Sequence, residues 1–116
     1  MKKRRNGTLR RRYGHATQGK IDSIMVVGRR WHRGGPGGTY HSAEIYVNGK
    51  HVHRIPFAYG YDSMYEQNAQ EWLEKNGYID VKHYANGGME PLWRIAQDKG
   101  FAYSASATNV ARKKDL

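Results

Sequence analysis

The stretch TYHSAEIYVNGKHVHRIPFAYGY, residues 39–61, decides the fold that this sequence predicts. It is rich in β-branched and aromatic residues, and polar and apolar side chains largely alternate along it, as they do in half-buried strands. Asn48-Gly49 in its middle is a strong hairpin signal, because both positions of such a tight turn require positive φ. The stretch therefore predicts two antiparallel strands, residues 39–47 and 51–57, joined by a two-residue turn.

The turn also predicts which side chains lie opposite each other, and hence which share a face. Counting back from it places Tyr46 opposite His51, Ile45 opposite Val52 and Glu44 opposite His53. One face then carries the aliphatic side chains with Lys50 and Arg54. The other carries a mixed set: Tyr40, Glu44, Tyr46, His51, His53, Ile55 and Phe57. Only one face can be the core of a two-layer fold, and the sequence leaves open which one is buried.

The segments next to the hairpin predict a strand before it and a helix after it. Residues 21–27 are rich in β-branched residues and predict the first strand. Ser63 and Glu66 have the spacing of a capping box, and Gly77 suits the residue just after a helix end. Between them lies one stripe at helical spacing, formed by Tyr65, Ala69, Trp72, Leu73 and Asn76.

The last third of the chain predicts a short helix and a final strand. Pro91 suits a first helical turn and Gly100 suits a stop, with Leu92, Ile95 and Ala96 as the apolar stripe between them. Residues 101–110 then alternate like a strand. The predicted fold class is therefore α+β: a three-stranded antiparallel sheet in the order β-β-β-α, a second short helix and a C-terminal strand, with the helices layered on one face of the sheet.

Positive charge is concentrated at the N-terminus. Residues 1–20 hold eight of the 20 Lys and Arg residues and none of the ten acidic ones, so residues 21–116 carry 12 − 10 = +2. Residues 1–19 also lack hydrophobic periodicity, and on their own they are expected to be disordered. We therefore divide the chain into a basic flexible arm, residues 1–19, and a single domain, residues 20–116.

The composition excludes several classes of protein. There is no cysteine, so disulfides and cysteine-based zinc sites are excluded. No apolar run is long enough to span a membrane, and no apolar segment follows the charged N-terminus as it does in a secretory signal. We expect no membrane association and a cytoplasmic location.

Evidence for catalysis or for a bound cofactor is weak. His51 and His53 with Glu44 across the hairpin could form a facial metal site, as in a small metal-dependent nuclease, but they are equally an ordinary surface patch. The other histidines complete no recognised spacing, and the glycine-rich segment 34–38 is not followed by the residues of a P-loop. We predict no enzymatic activity, no cofactor and no metal, and keep the nuclease as an alternative.

Interleaved aromatic and basic residues give the strongest functional signal. Flat side chains on a sheet can stack on bases while nearby cations hold the phosphates, and a basic arm is attracted to any polyanion. The candidate nucleic-acid-binding residues in the arm are Lys2, Lys3, Arg4, Arg5, Arg10, Arg11 and Arg12. In the domain they are Arg29, Arg30, Trp31, Arg33, Tyr40, Tyr46, Lys50, Arg54 and Tyr59.

Two kinds of resemblance bear on this interpretation. The order of three antiparallel strands and a helix, from about Lys20 to Gly77, resembles AP2/integrase arm-type domains and the latter part of double-stranded-RNA-binding domains. The segments YVNGK, PFAYGYD, WLEKNGY and RKKDL resemble small phage-encoded proteins of unassigned function. The first resemblance implies a DNA- or RNA-binding sheet, and the second implies a setting in the bacterial host cell.

The function predicted from the sequence is therefore binding of DNA or RNA without catalysis. The arm would contact phosphates, and a cationic and aromatic sheet surface would contact the nucleic acid. A phage-encoded inhibitor or adaptor that binds a host protein or a ribonucleoprotein is the second hypothesis, because the domain itself is almost neutral. The metal-dependent nuclease is the third.

Overall fold

The computed structural model describes residues 19–60 and 63–116. Within these residues the order of elements is β1 (Ser23–His32), β2 (Thr39–Val47), β3 (Lys50–Tyr59), α1 (Met64–Lys75), α2 (Leu92–Lys99) and β4 (Ala102–Asn109), followed by a 3₁₀ turn at Lys113–Asp115. The predicted α+β class is confirmed. Each helix and strand predicted from the sequence is present close to its predicted position.

The strands form one mixed sheet in the order β3-β2-β1-β4. β1, β2 and β3 are antiparallel neighbours, as predicted. β4 joins the same sheet parallel to β1, which adds a parallel edge to the predicted antiparallel sheet. The chain between β3 and β4 contains both helices, and a crossover of that kind can return a strand to the sheet in the same direction as its neighbour.

The Asn48-Gly49 turn forms as predicted, with φ of 54° and 80°. The Asn48 side chain has a second role. Its Oδ1 accepts hydrogen bonds from the N–H groups of Asp22 (2.6 Å) and Ser23 (3.1 Å), and its Nδ2 donates to the Lys20 carbonyl (3.0 Å). The turn residue of one hairpin therefore also fixes the beginning of β1.

The predicted register of β3 holds only next to the turn. Tyr46 pairs with His51 as predicted, but the next pair is Ile45 with His53, so Val52 is an extra residue in β3. Such a bulge shifts every residue beyond it by one position, and a shift of one position moves a side chain to the other face. The pairings predicted beyond His51 are therefore wrong.

This shift exchanges the faces of two candidate residues. Arg54 pairs with Glu44 and lies on the same face as its carboxylate, not with the aliphatic side chains. His53 moves to the opposite face. A second irregularity opposite His41 and Ala43 falls near Pro56, which has no N–H to donate to a ladder.

The aliphatic face of the sheet is the buried one. Its side chains pack against α1, α2 and the segment between the helices to form a single core of Ile24, Val26, Ala43, Ile45, Val47, Tyr65, Ala69, Leu73, Ile79, Val81, Leu92 and Ile95. Gly28 shows how closely α1 approaches, because a Cβ there would lie 2.6 Å from a ring carbon of Tyr65. The face that the sequence left undecided is thus settled in favour of aliphatic burial.

α1 ends as predicted but begins differently. The N–H groups of Gly77 and Tyr78 donate to the carbonyls of Glu74 and Leu73, and Gly77 has φ of 80°, which together form a Schellman ending. At the other end Ser63 makes no side-chain cap. The predicted capping box is therefore absent, and Glu66 instead accepts a 2.6 Å hydrogen bond from the Tyr103 hydroxyl on β4.

α2 follows its predicted limits. Pro91 precedes its first residue, Gly100 ends it with φ of 82°, and the predicted stripe of Leu92, Ile95 and Ala96 is buried. No helix in the described part of the chain has the length and apolar character that crossing a bilayer requires.

Candidate nucleic-acid interface

The face of the sheet opposite the helices, called here the helix-free face, brings six candidate residues together. Alternate residues of β1 and β2 point into the core, so their neighbours in the sequence point the other way. The bulge in β3 adds Arg54 to this side. The six are Arg29, Trp31, Tyr40, Tyr46, Arg54 and Tyr59.

Four rings form an aromatic cluster at one end of this face: Trp31, Tyr40, Phe57 and Tyr59. Tyr40 is central, with its ring centroid 4.9 Å from that of Phe57 in a stacked pair, 5.3 Å from Tyr59 edge-on and 5.9 Å from Trp31. Tyr59 is 62% exposed and Phe57 44% exposed. The cluster therefore presents two large aromatic side chains to solvent, held by two others.

The glycine-rich segment between β1 and β2 packs against this cluster. A Cβ at Gly38 would lie 2.3 Å from a ring carbon of Tyr59, so only glycine allows the ring to approach this closely. The Arg33 N–H donates to the Gly38 carbonyl (3.0 Å), which closes the loop at its base. The segment therefore connects β1 to β2 and also supports Tyr59.

A charged cluster lies beside the aromatic one, organised by Glu44. The Glu44 carboxylate accepts hydrogen bonds from Arg54 Nη1 and from His51 Nε2 (2.6 Å), and Arg29 Nη1 lies 3.9 Å away. Burial raises the pKa of Glu44, but the hydrogen bonds from His51 and Arg54 outweigh this effect and hold the pKa below its ordinary value of 4.5. Glu44 is therefore ionised and partly neutralises the cations on this face.

Residues 110–116, the C-terminal segment, cross the helix-free face from the β4 edge to the β3 edge. The Val110 N–H still donates to the Arg30 carbonyl on β1 (2.7 Å), whereas the Leu116 carbonyl accepts from Arg54 Nη2 on β3 (2.8 Å). Lys113 Nζ lies 5.2 Å from the centroid of the Phe57 ring. The segment thus carries a cation to the aromatic cluster.

The middle of the helix-free face is covered, and its two ends are open. Ser42 lies on this face between Arg29 and Glu44, yet it is 1% exposed, and its Oγ has no hydrogen-bond partner among the described residues. Tyr59 at one end and Met25 at the other are well exposed. The aromatic end of this face is therefore accessible to a ligand.

The remaining candidate residues lie elsewhere. Arg30 is on the helix side of β1, where its charge acts on Tyr65. Arg33 is exposed in the connecting loop, and Lys50 is exposed beside the Asn-Gly turn. The seven candidates in the arm, Lys2, Lys3, Arg4, Arg5, Arg10, Arg11 and Arg12, lie outside the described residues.

The three residues of the hypothetical metal site do not come together. The bulge at Val52 places His53 on the helix side of the sheet, where its ring stacks on Trp72 at 4.3 Å between centroids. His51 and Glu44 remain paired on the helix-free face. Among the histidine and acidic side chains of residues 19–60 and 63–116, no three are arranged to hold a metal ion.

Two residues of the interface were not among the candidates. Phe57 could have been found, because the hairpin pattern already placed it on the same face as Tyr40. Lys113 belongs to a basic C-terminal cluster that is visible in the sequence, but no local signal indicates which face it reaches.

No protein-family model matches this chain, and comparisons with curated proteins and with solved structures gave no significant match.

Proposed function

We propose that this chain is a non-enzymatic nucleic-acid-binding protein that stacks unpaired bases on its aromatic cluster. The observation that carries the proposal is the pair of exposed rings, Tyr59 and Phe57, held in place by Tyr40 with a lysine beside them. Single strands are the favoured ligand, because a duplex presents only base edges in its grooves, whereas an unpaired base offers its flat face.

The charges near the cluster support contact with phosphates. Lys113 lies over Phe57, Arg29 is two residues before Trp31 on β1, and Arg33 is exposed in the loop that follows β1. Arg54 contributes less, because Glu44 and the Leu116 carbonyl already occupy its guanidinium. The arm would add phosphate contacts that are independent of sequence and sensitive to salt.

The proposal predicts that removal of one exposed ring weakens binding selectively. We expect Tyr59→Ala to weaken binding of a fluorescent single-stranded oligonucleotide by about 5- to 150-fold, since one base–aromatic stack contributes about 1–3 kcal/mol. The measurement is fluorescence anisotropy with matched single-stranded and duplex DNA and RNA.

Tyr84→Ala is the matched control, because Tyr84 is 47% exposed but lies between α1 and α2 in the sequence, outside the four strands. It should bind like the wild type. The stacking mechanism would be contradicted if Tyr59→Ala and Tyr84→Ala weakened oligonucleotide binding equally. It would also be contradicted if the wild type bound single strands and duplexes with equal affinity.

A protein partner is the second candidate, favoured by a different feature. Trp93 on α2 is 56% exposed and lines a cleft of about 650 Å³ that also contains Glu71 and His83. Exposed tryptophans often anchor protein interfaces. In this case the chain would be an adaptor or inhibitor, and Trp93→Ala would abolish partner binding while leaving oligonucleotide affinity unchanged.

A further inference from the structure

β4 forms one edge of the sheet, so it pairs with β1 on one side and with no described strand on the other. The Ala102 N–H donates to the Asp22 carbonyl (3.1 Å) and the Val110 N–H, just past the strand, donates to the Arg30 carbonyl (2.7 Å), so even-numbered residues direct their backbone groups towards β1. Because this direction alternates along a strand, the odd-numbered residues direct theirs away from the sheet. Their N–H and C=O groups have no partner in the part of the chain that is described; these residues are Tyr103, Ala105, Ala107 and Asn109.

The two edges of the sheet differ in how they are protected. β3 carries Lys50, Arg54, Pro56 and two irregularities, which are the features that natural proteins use to prevent edge-to-edge pairing. β4 has a regular register of eight residues with no proline and no charged side chain. An edge of this kind is a template for another strand.

We propose that β4 pairs with β4 of a second copy of this chain, antiparallel about a two-fold axis near Ser106. With that axis, Tyr103 lies opposite Asn109 of the second copy, and Ala105 lies opposite its Ala107. The backbone N–H and C=O groups of all these residues point away from β1, so the two residues of each pair exchange two hydrogen bonds. The two sheets become one continuous sheet.

A second copy fits this edge better than an unrelated strand for two reasons. The exposed side chains next to the axis are small and neutral, namely Ala102, Ser104, Ser106 and Thr108, so two copies meet without bulk or repulsion. The domain itself carries only 12 − 10 = +2 over residues 21–116. Because β3 blocks pairing at the other edge, the assembly closes at two chains.

The oligomeric state of the full chain tests this pairing. Sedimentation velocity over a concentration series should show the wild type converting to twice its 13.3 kDa mass. Ser106→Lys and Ser106→Glu should each be monomeric, because like charges then face each other at the axis, and their equimolar mixture should dimerise. Gln67→Lys, with an exposed position on α1, is the charge-matched control and should dimerise like the wild type.

Amide hydrogen exchange adds a readout at single residues. The amides of Tyr103, Ala105, Ala107 and Asn109 should become protected as the concentration rises, whereas those of Ser104 and Ser106 should be protected throughout by β1. A wild type that stays monomeric at every concentration, or that grows beyond two chains, would overturn the proposal. The proposal would also be overturned if both Ser106 variants still dimerised and the amide exchange of Tyr103, Ala105, Ala107 and Asn109 did not change with concentration.

Discussion

One carboxylate determines how much of the charge on the helix-free face is available to a ligand. Glu44 accepts hydrogen bonds from Arg54 and His51, and Arg29 is at the limit of an ion pair with it. The cations near the centre of the face are therefore largely satisfied within the protein. At the scale of single residues, the most accessible side chain of the aromatic cluster is the Tyr59 ring, which is 62% exposed, whereas Phe57 is already stacked on Tyr40 with Lys113 over its ring.

Removal of the Glu44 charge should reduce stability. Glu44→Gln loses charge-assisted hydrogen bonds to two partners, and we expect the free energy of unfolding to fall by about 1–3 kcal/mol at neutral pH. Chemical denaturation measures this difference. Glu71→Gln is the control and should leave stability unchanged, because Glu71 is exposed on α1 and forms no ion pair within residues 19–60 and 63–116.

The same variant should also change the response to acid. Because the pKa of Glu44 is lowered in the folded protein, its stabilisation is fully present above the ordinary value of 4.5 and is lost as the pH falls through the lowered value. The stability difference between the wild type and Glu44→Gln should therefore shrink on acidification. A difference that stays constant into the acid range would contradict this role for Glu44.

At the scale of elements, features decided by one residue could be predicted and features decided by distant contacts could not. Asn48-Gly49, Gly77 and Gly100 adopt positive φ where the sequence placed a turn or a helix end. The bulge at Val52 has no such local signal; it accompanies a stack between His53 and Trp72, which are far apart in the sequence. The parallel direction of β4 likewise depends on the whole crossover.

The Tyr103–Glu66 hydrogen bond joins β4 to α1 and can be tested directly. Burial raises the pKa of the Tyr103 hydroxyl well above its usual value, and the hydrogen bond to Glu66 raises it further, so the hydroxyl stays protonated and donates. We expect Tyr103→Phe to lower the free energy of unfolding by about 1–2 kcal/mol, since a hydrogen bond to a charged group is lost. Tyr84→Phe, which alters an exposed ring, should leave the free energy of unfolding unchanged. Equal stability of the two variants would contradict a stabilising role for the Tyr103–Glu66 hydrogen bond.

At the scale of the whole molecule, most of the net charge and the aromatic surface lie in different parts of the chain, because residues 1–20 hold eight of the 20 Lys and Arg residues and none of the acidic ones. The sequence showed this division, and six of the nine candidates within the described residues do share one face. It could not show that the C-terminal segment crosses that face, because its path is decided by where β4 enters the sheet. We therefore expect salt-dependent attraction from the arm and stacking from the domain.

This division predicts separable effects. Replacement of the seven Lys and Arg residues between positions 2 and 12 with glutamine should weaken binding at low salt. It should also flatten the plot of log affinity against log salt by up to about 5 units, because each single-strand phosphate contact contributes about 0.7. When the arm carries these glutamines, Tyr59→Ala should still weaken oligonucleotide binding by the same factor as it does in the wild type. An unchanged salt dependence would show that the arm makes no phosphate contacts.

Stacking on the aromatic cluster can be tested by mapping the binding surface by NMR while a short single-stranded oligonucleotide is titrated into the full chain. We expect the largest chemical-shift changes at Trp31, Tyr40, Phe57 and Tyr59, smaller ones at Arg29 and Lys113, and none at Tyr84 or Trp93. Changes confined to residues 1–19, or centred on the cleft beside Trp93, would contradict stacking on the helix-free face.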